Sequence, residues 1–373
     1  MSILTPADKK LSSCHTLWKY LLFQYLKVLL LSILTFIAVL VVSRLETIAH
    51  FATLGAPWTQ ISLFTLYQIP YVLPIAIPLS SLLSAILLFM GMSQSQELTS
   101  LRASGYSLFN ILAPILFAAT VLFCVTFYIS SEVATVAHLK TRKMVHDFGS
   151  VNPLILLQNA RIAKLQGAYV AMEPVRLGEE AKEVLIAGRA KDHLFLYMVE
   201  NLGLKSGEFE AKNISLLSEH EGRLAIENLK SMHTKASDFA FLLRPKGWKI
   251  ANDHLNFGLL RARKAYLQKM GGPKMKKNLI KNQSEVIRRF SVSFAAFTFT
   301  LMGAVLGMEI SRQFHKRGIV IAAVLSSLAL LSFFIAHELD HLFWISTLLL
   351  TLPHLLILGA VFFALFRLQR GIE

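Results

Sequence analysis

The stretch IPYVLPIAIPLSSLLSAILLFMGMSQSQELTSLRASGYSLFNILAPI, residues 69–115, decides the fold. An uncharged apolar run over 70–92 gives way to a polar segment at 93–105, and a second apolar run fills 108–130. Each run is longer than the ~20 residues with which a helix crosses about 30 Å of hydrocarbon. Two membrane helices joined by a short polar turn follow. Pro70, Pro74 and Pro78 lie four apart, on one helix face. Each frees backbone carbonyls that neighbours must satisfy, so this helix end is expected to be tightly packed or mobile.

The same criterion finds six spans, at 20–43, 70–92, 108–130, 290–308, 318–336 and 342–366. The composition agrees, with 54% hydrophobic and 16% charged residues against about a quarter charged in soluble domains. Lys27 interrupts the first run, where its long stem can snorkel to the interface. That run is too long for a cleavable signal peptide and no small-residue cleavage site follows it. The expected fold is an α-helical polytopic membrane protein with six transmembrane helices and an inserted periplasmic β-jelly-roll-like domain. Its parts are helices one to three over 1–130, the insert over 131–289 and helices four to six over 290–373.

The insert holds 27 of the 38 Lys+Arg and 16 of the 23 Asp+Glu. Residues 131–147 read as a continuation of the third helix. Alternating, β-branched or aromatic stretches follow: GAYVAMEPV (167–175), EVLIAGRAKDHLFLYMVE (183–200), EFEAKNISLL (208–217) and LAIENLKSMHTKASDFAFLL (224–243). Several such stretches at regular spacing predict a sandwich or jelly-roll-like sheet. The 244–289 tail reads as basic and helical, with LLRARKAYLQKM a surface helix. Neither Cys14 nor Cys124 lies in the insert, so no disulfide framework is available there.

Short-loop Lys and Arg mark the cytoplasm. One side would carry Lys9, Lys10, Lys19, Arg102, Arg312, Lys316, Arg317, Arg367 and Arg370. The other would carry Arg44 with Glu46, and Glu338 with Asp340. Both termini are then cytoplasmic and the insert lies outside the cytoplasm, in the periplasm if the cell is Gram-negative. The dense Lys and Arg of 261–289 pull the other way, but long translocated domains are largely exempt from the rule.

The 94–105 turn has Glu97 at its start, Leu98 and Leu101 on one side, Arg102 near its end and Gly105 as a C-terminal stop. A short amphipathic helix between two cytoplasmic span ends has the shape of a coupling helix for a separate motor. Its leucines would fill a groove there. The segment around LPIAIPLS, GMSQSQELTSLRASGYS and the fourth-span entry SEVIRRFSVSFAAFTFTLMGAVLG (284–307), with Glu285 and Arg289 four apart, resembles the LptF/LptG family of lipopolysaccharide export permeases. The resemblance covers essentially the whole chain. It is strongest over 69–115 and 284–310, weak in the insert, and does not separate F from G.

The resemblance implies a heterodimer with a second LptF/LptG-type permease, bound to LptB-like cytoplasmic ATPase subunits. It implies delivery of lipopolysaccharide to LptC/LptA-like periplasmic bridge proteins. Nucleic acid is not an expected partner. Glu97, Leu98, Leu101 and Arg102 become the expected ATPase-coupling residues, with Glu97 the main contact. Arg44 and Arg142 match positions where the family carries lipid-contacting cations, and arginine's planar fork suits phosphate; the alternative is that both only anchor helix ends. The chain has no G-x-x-x-x-G-K-[ST], so no cofactor is expected in it, and ATP would be bound by the partner.

One motif points elsewhere. His337, Glu338 and His341 spell H-E-x-x-H within FFIAHELDHLFWI (333–345), a zinc-protease signature when both histidines share a helix face. An intramembrane zinc metalloprotease also needs a third ligand. Trp344 and Thr347 occupy the positions where extended patterns place glycine and histidine, and His354 is the nearest histidine downstream. The expectation is therefore no catalytic residue and no metal. A secondary transporter would show ionisable residues at mid-span, where only Lys27 and His354 stand.

Overall fold

The computed structural model describes residues 6–53, 56–151, 162–165, 168–176, 179–190, 193–205, 208–220, 223–235, 251–270, 272–308 and 317–370. Arg312, Lys316 and the 236–250 part of the predicted strand and tail lie outside these residues. The chain divides into two compact units. The first comprises 1–43, 68–138 and 251–373; the second comprises 44–67 and 139–250. The bundle therefore keeps the third helix to His138 and regains the chain at Ala251, where the sequence reading cut at 131 and 289.

Among the described residues, six helices are long and apolar enough to cross a membrane. They are α1 (Pro6–Val42), α3 (Trp58–Gln94), α5 (Leu108–Tyr128) with its extension α6 (Ala134–Val151), α8 (Pro273–Leu306), α9 (Arg317–Glu338) and α10 (Phe343–Gln369). Between them lie α2 (Leu45–Thr53), α4 (Glu97–Ala103) and α7 (Phe257–Met270). The expected surface helix of the basic tail is α7. A π-helical turn over Ile129–Val133 joins α5 to α6.

In the first unit α8 is central. Its small residues allow the approach to α3: a Cβ on Gly303 would stand 2.5 Å from the Leu82 carbonyl oxygen, and one on Gly307 3.1 Å from Ile86 Cα. Lipid gives helices no hydrophobic reason to associate, so close backbone packing by such residues takes over. Hydroxyls reinforce it. Ser81 Oγ donates to the Pro78 carbonyl at 2.7 Å and reaches the Ala296 carbonyl of α8 at 3.3 Å. Thus the proline-rich part of α3 stays helical, its face with Pro74 and Pro78 lining a small cavity against Ser291, Phe299 and His354.

In the second unit, β1 (Ile162–Leu165), β2 (Ala168–Arg176), β3 (Glu180–Ala190), β4 (His193–Lys205), β5 (Glu208–His220) and β6 (Arg223–Lys235) form one antiparallel sheet in sequential order. The β-rich insert is thus as expected, and its strand order, which sequence leaves open, is a meander. Val170, Met172, Ala181, Val184, Val199, Leu202, Phe209, Ala211 and Ile214 bury one face. The inward parity shifts by one between Ala181 and Val184 and again between Ala211 and Ile214, at the left-handed residues Glu183 and Asn213. A separate cluster joins α2, the start of α3 and α6: Phe51 stacks on Phe64 at 4.3 Å and meets Phe148 edge-on at 5.4 Å.

Candidate functional site

The 94–107 turn is built by local rules. Gln96 enters with positive φ, α4 runs for seven residues, and Gly105 leaves with φ +86°. The Gly105 N–H bonds the Arg102 carbonyl and the Tyr106 N–H bonds the Leu101 carbonyl. This is the paired pattern that ends a helix on a left-handed glycine. Ser107 then caps α5, accepting from the Asn110 N–H.

The structure keeps Glu97, Leu98, Leu101 and Arg102 together on α4 but divides their roles. Leu98 is 1% exposed inside the bundle's own core, beside Leu21, Met92 and Met308, with Leu101 packed against it. The apolar stripe expected to fill a partner's groove instead packs α4 onto its own bundle, and a seven-residue helix, too short to be stable alone, needs such packing. Thr99, Ser100 and Ala103 are exposed, and Arg102 is half-buried. Glu97 is half-buried and its Oε2 accepts from the Tyr20 hydroxyl at 3.0 Å. Sequence reasoning missed Tyr20; nothing in a lone span-end tyrosine identifies the partner 77 positions away.

The fourth-span pair Glu285 and Arg289 forms a buried ion cluster at the other end of the bundle. Glu285 is 8% exposed and accepts from Arg289 Nε at 2.8 Å through Oε1, and from Arg288 Nε at 2.8 Å through Oε2. Arg289, 3% exposed, turns its remaining nitrogens outward to backbone. Nη2 donates to the Asn252 carbonyl at 3.1 Å and Nη1 to that of Ser131 at 3.5 Å. Ser131 lies in the π-turn, whose altered hydrogen-bond pattern offers its carbonyl sideways. One guanidinium thereby ties the segment leaving the bundle to the segment returning to it.

Arg44 stands half-buried at the turn between α1 and α2, and Arg142 is exposed on α6. Both belong to the second unit. On the same helix Lys140 lies 5.1 Å from the Tyr67 ring centre. Lys27 is exposed on α1.

H-E-x-x-H does not occupy one helix. The helix α9 ends at Glu338 and His341 falls in the turn before α10. All three residues are exposed, and Asp340 between them pairs with Lys281 at 2.8 Å. The shared face that two histidines need for one zinc ion is missing. His354 is engaged elsewhere, its Nε2 3.0 Å from Ser291 Oγ and its Nδ1 3.1 Å from Thr298 Oγ1. It joins α10 to α8, as polar side chains do within bundles.

No curated protein matches the chain. The model of the family described as lipopolysaccharide export system permease LptF/LptG matches residues 19–368. Since that match runs from the first span to the last and takes in the turn, the ion cluster and the sheet, the chain belongs to the LptF/LptG family of lipopolysaccharide export permeases.

Proposed function

We propose that this chain is one of the two permeases of an ATP-driven exporter in a bacterial inner membrane, which lifts lipopolysaccharide out of the bilayer toward the outer membrane. The observation that carries the reading is the α4 turn. It is a rigid polar helix at a bundle end, pinned from within by Leu98, with Glu97 and Arg102 reaching its surface. A seven-residue element held this firmly suits transmission of a push from a cytoplasmic ATPase.

The work is set by the lipid. Each methylene taken out of hydrocarbon costs about 0.8 kcal/mol, so a many-chained glycolipid leaves only if an apolar cavity receives the chains and ATP drives the step. A second LptF/LptG-type permease would complete that cavity. The broad apolar surface of α1, α9 and α10, with Phe23, Leu30, Leu31, Phe334, Phe362 and Phe363 exposed, supplies area for lipid and partner alike. LptB-like subunits would bind ATP, and this chain would carry no cofactor and perform no covalent chemistry. On the insert, β6 pairs with β5, and its Ile226, Leu229 and Met232 are exposed. Among the described strands β6 is last in the sheet, and an edge of this kind is suited to adding a strand from an LptC/LptA-like bridge.

Two results test the reading. Reporter fusions after residues 105 and 314 are expected to be cytoplasmic and one near 205 periplasmic; a cytoplasmic reading at 205 removes the export model. Arg44 and Arg142 are assigned to lipid phosphates, where a charge-assisted bond is worth about 1.5–3 kcal/mol. Arg44→Glu should therefore reduce lipid crosslinking about tenfold or more, while Lys27→Gln changes it little. Equal effects would make Arg44 an interface anchor only.

A further inference from the structure

We propose that His138, Asp253 and His254 form a binding site for a divalent transition-metal ion of the zinc class. Each residue offers one ligand atom, and the three atoms lie within 4.8 Å of one another. His138 Nδ1 is 3.5 Å from Asp253 Oδ2, and His254 Nδ1 is 3.8 Å from Asp253 Oδ1. These separations exceed the about 2.7–2.9 Å of a charge-assisted hydrogen bond. The first matches the spacing of about 3.3–3.5 Å between atoms that share one tetrahedral ion at ~2.0–2.2 Å; the second, to the other carboxylate oxygen, is longer, so the imidazoles would draw in as an ion binds. The imidazole rings meet edge-on with centroids 4.4 Å apart.

A second observation points to a cation. Asp253 Oδ1 is shut off from solvent and accepts no hydrogen bond. A buried carboxylate oxygen in that condition is unfavourable unless a positive charge meets it. The nearby Arg289 does not supply it, since Glu285 accepts from its Nε and the Asn252 carbonyl from its Nη2; the groups that face the carboxylate are the two imidazoles themselves, at 3.5 and 3.8 Å, beyond hydrogen-bond length. His254 is 3% exposed, and the Tyr71 ring packs on His138 at 4.6 Å, so the site is walled on two sides.

Two imidazoles and one carboxylate suit zinc-like ions; magnesium and calcium prefer all-oxygen sets. Three protein ligands leave a fourth position for water. His138 lies about 45 Å along the helix from Leu108, well past ~30 Å of hydrocarbon, so aqueous ions can reach it. His138 sits where the chain leaves the bundle and Asp253–His254 where it returns. A bound ion would staple the two crossings next to the Arg289 bond to Asn252. Sequence reading does not bring these ligands together, because 114 residues separate His138 from Asp253 along the chain.

The test uses the purified full chain in detergent, stripped with a chelator and titrated with Co2+ while its visible absorption is followed. One tetrahedral Co2+ per chain is expected, displaced by Zn2+ and not by excess Mg2+. Asp253→Asn, which keeps shape, and His138→Ala should each weaken Co2+ binding by more than the ~10–100-fold typical of an outer-shell loss. The double variant His337→Ala with His341→Ala should bind as wild type does. Zn2+ should raise the unfolding temperature of the wild type and not that of Asp253→Asn. Absence of the tetrahedral spectrum in the wild type overturns the proposal, as does its persistence in Asp253→Asn or its loss in the His337/His341 variant.

Discussion

Glu285→Ala should lower the stability of the helical unit by about 3–5 kcal/mol, the loss expected when one partner of a buried ion pair is removed. The carboxylate is almost wholly buried and faces two guanidinium groups. Without it Arg289 keeps its charge in a region that water does not reach, and its grip on the Ser131 and Asn252 carbonyls no longer has a fixed base. Arg289→Ala should cost about as much for the mirror-image reason. Arg289→Lys should rescue little, since an ammonium cannot serve Glu285, Ser131 and Asn252 at once. Arg288→Ala should be milder, because Arg288 is partly open to solvent. Replacing both buried partners, as in Glu285→Leu with Arg289→Met, should recover part of the loss. Thermal unfolding of the purified variants measures all of these; a loss under about 1 kcal/mol for Glu285→Ala would show that the cluster does not hold the bundle.

The second large effect is expected at the turn. Glu97→Lys should cut ATPase co-purification about tenfold or more while the permease still folds and inserts, because it would set like charges against a basic surface on the motor. The Tyr20 bond makes the test discriminating. If Glu97 serves only to hold α4 against α1, then Tyr20→Phe, which removes the hydroxyl donor and leaves the charge, should impair assembly as much as Glu97→Lys does. If Glu97 meets the ATPase, Tyr20→Phe should cost at most the about 1.5–3 kcal/mol of one hydrogen bond to a charged group, confined to the local helix. Arg102→Ala provides the comparison at the other end of α4. Undiminished assembly and transport in Glu97→Lys would remove Glu97 from the coupling site.

The six spans, the α4 turn and the β-rich insert are legible in the sequence because each follows from local pattern: run length, a glycine stop, alternation. What is hidden is pairing over distance. That Leu98 points into its own bundle cannot be read from a stripe, since a stripe has the same period whether it meets its own core or another protein. Glu285 and Arg289 are visible as an i,i+4 pair, yet the second arginine on Glu285 and the carbonyls of Ser131 and Asn252 depend on how α5, α8 and the returning segment pack. The register at Glu183 and Asn213 escapes because two non-glycine residues take left-handed backbone there. H-E-x-x-H misleads for the opposite reason. Its meaning assumes an unbroken helix, and α9 stops at Glu338.

The proposed role of this permease is to move lipopolysaccharide out of the inner membrane. Its most direct measurement is to deplete the chain in its native cell and separate the two membranes over time. Newly made lipopolysaccharide should accumulate in the inner membrane and fail to reach the outer one, with wild-type chain restoring delivery and Glu97→Lys failing to do so. Delivery to the outer membrane at an undiminished rate after depletion would contradict the account.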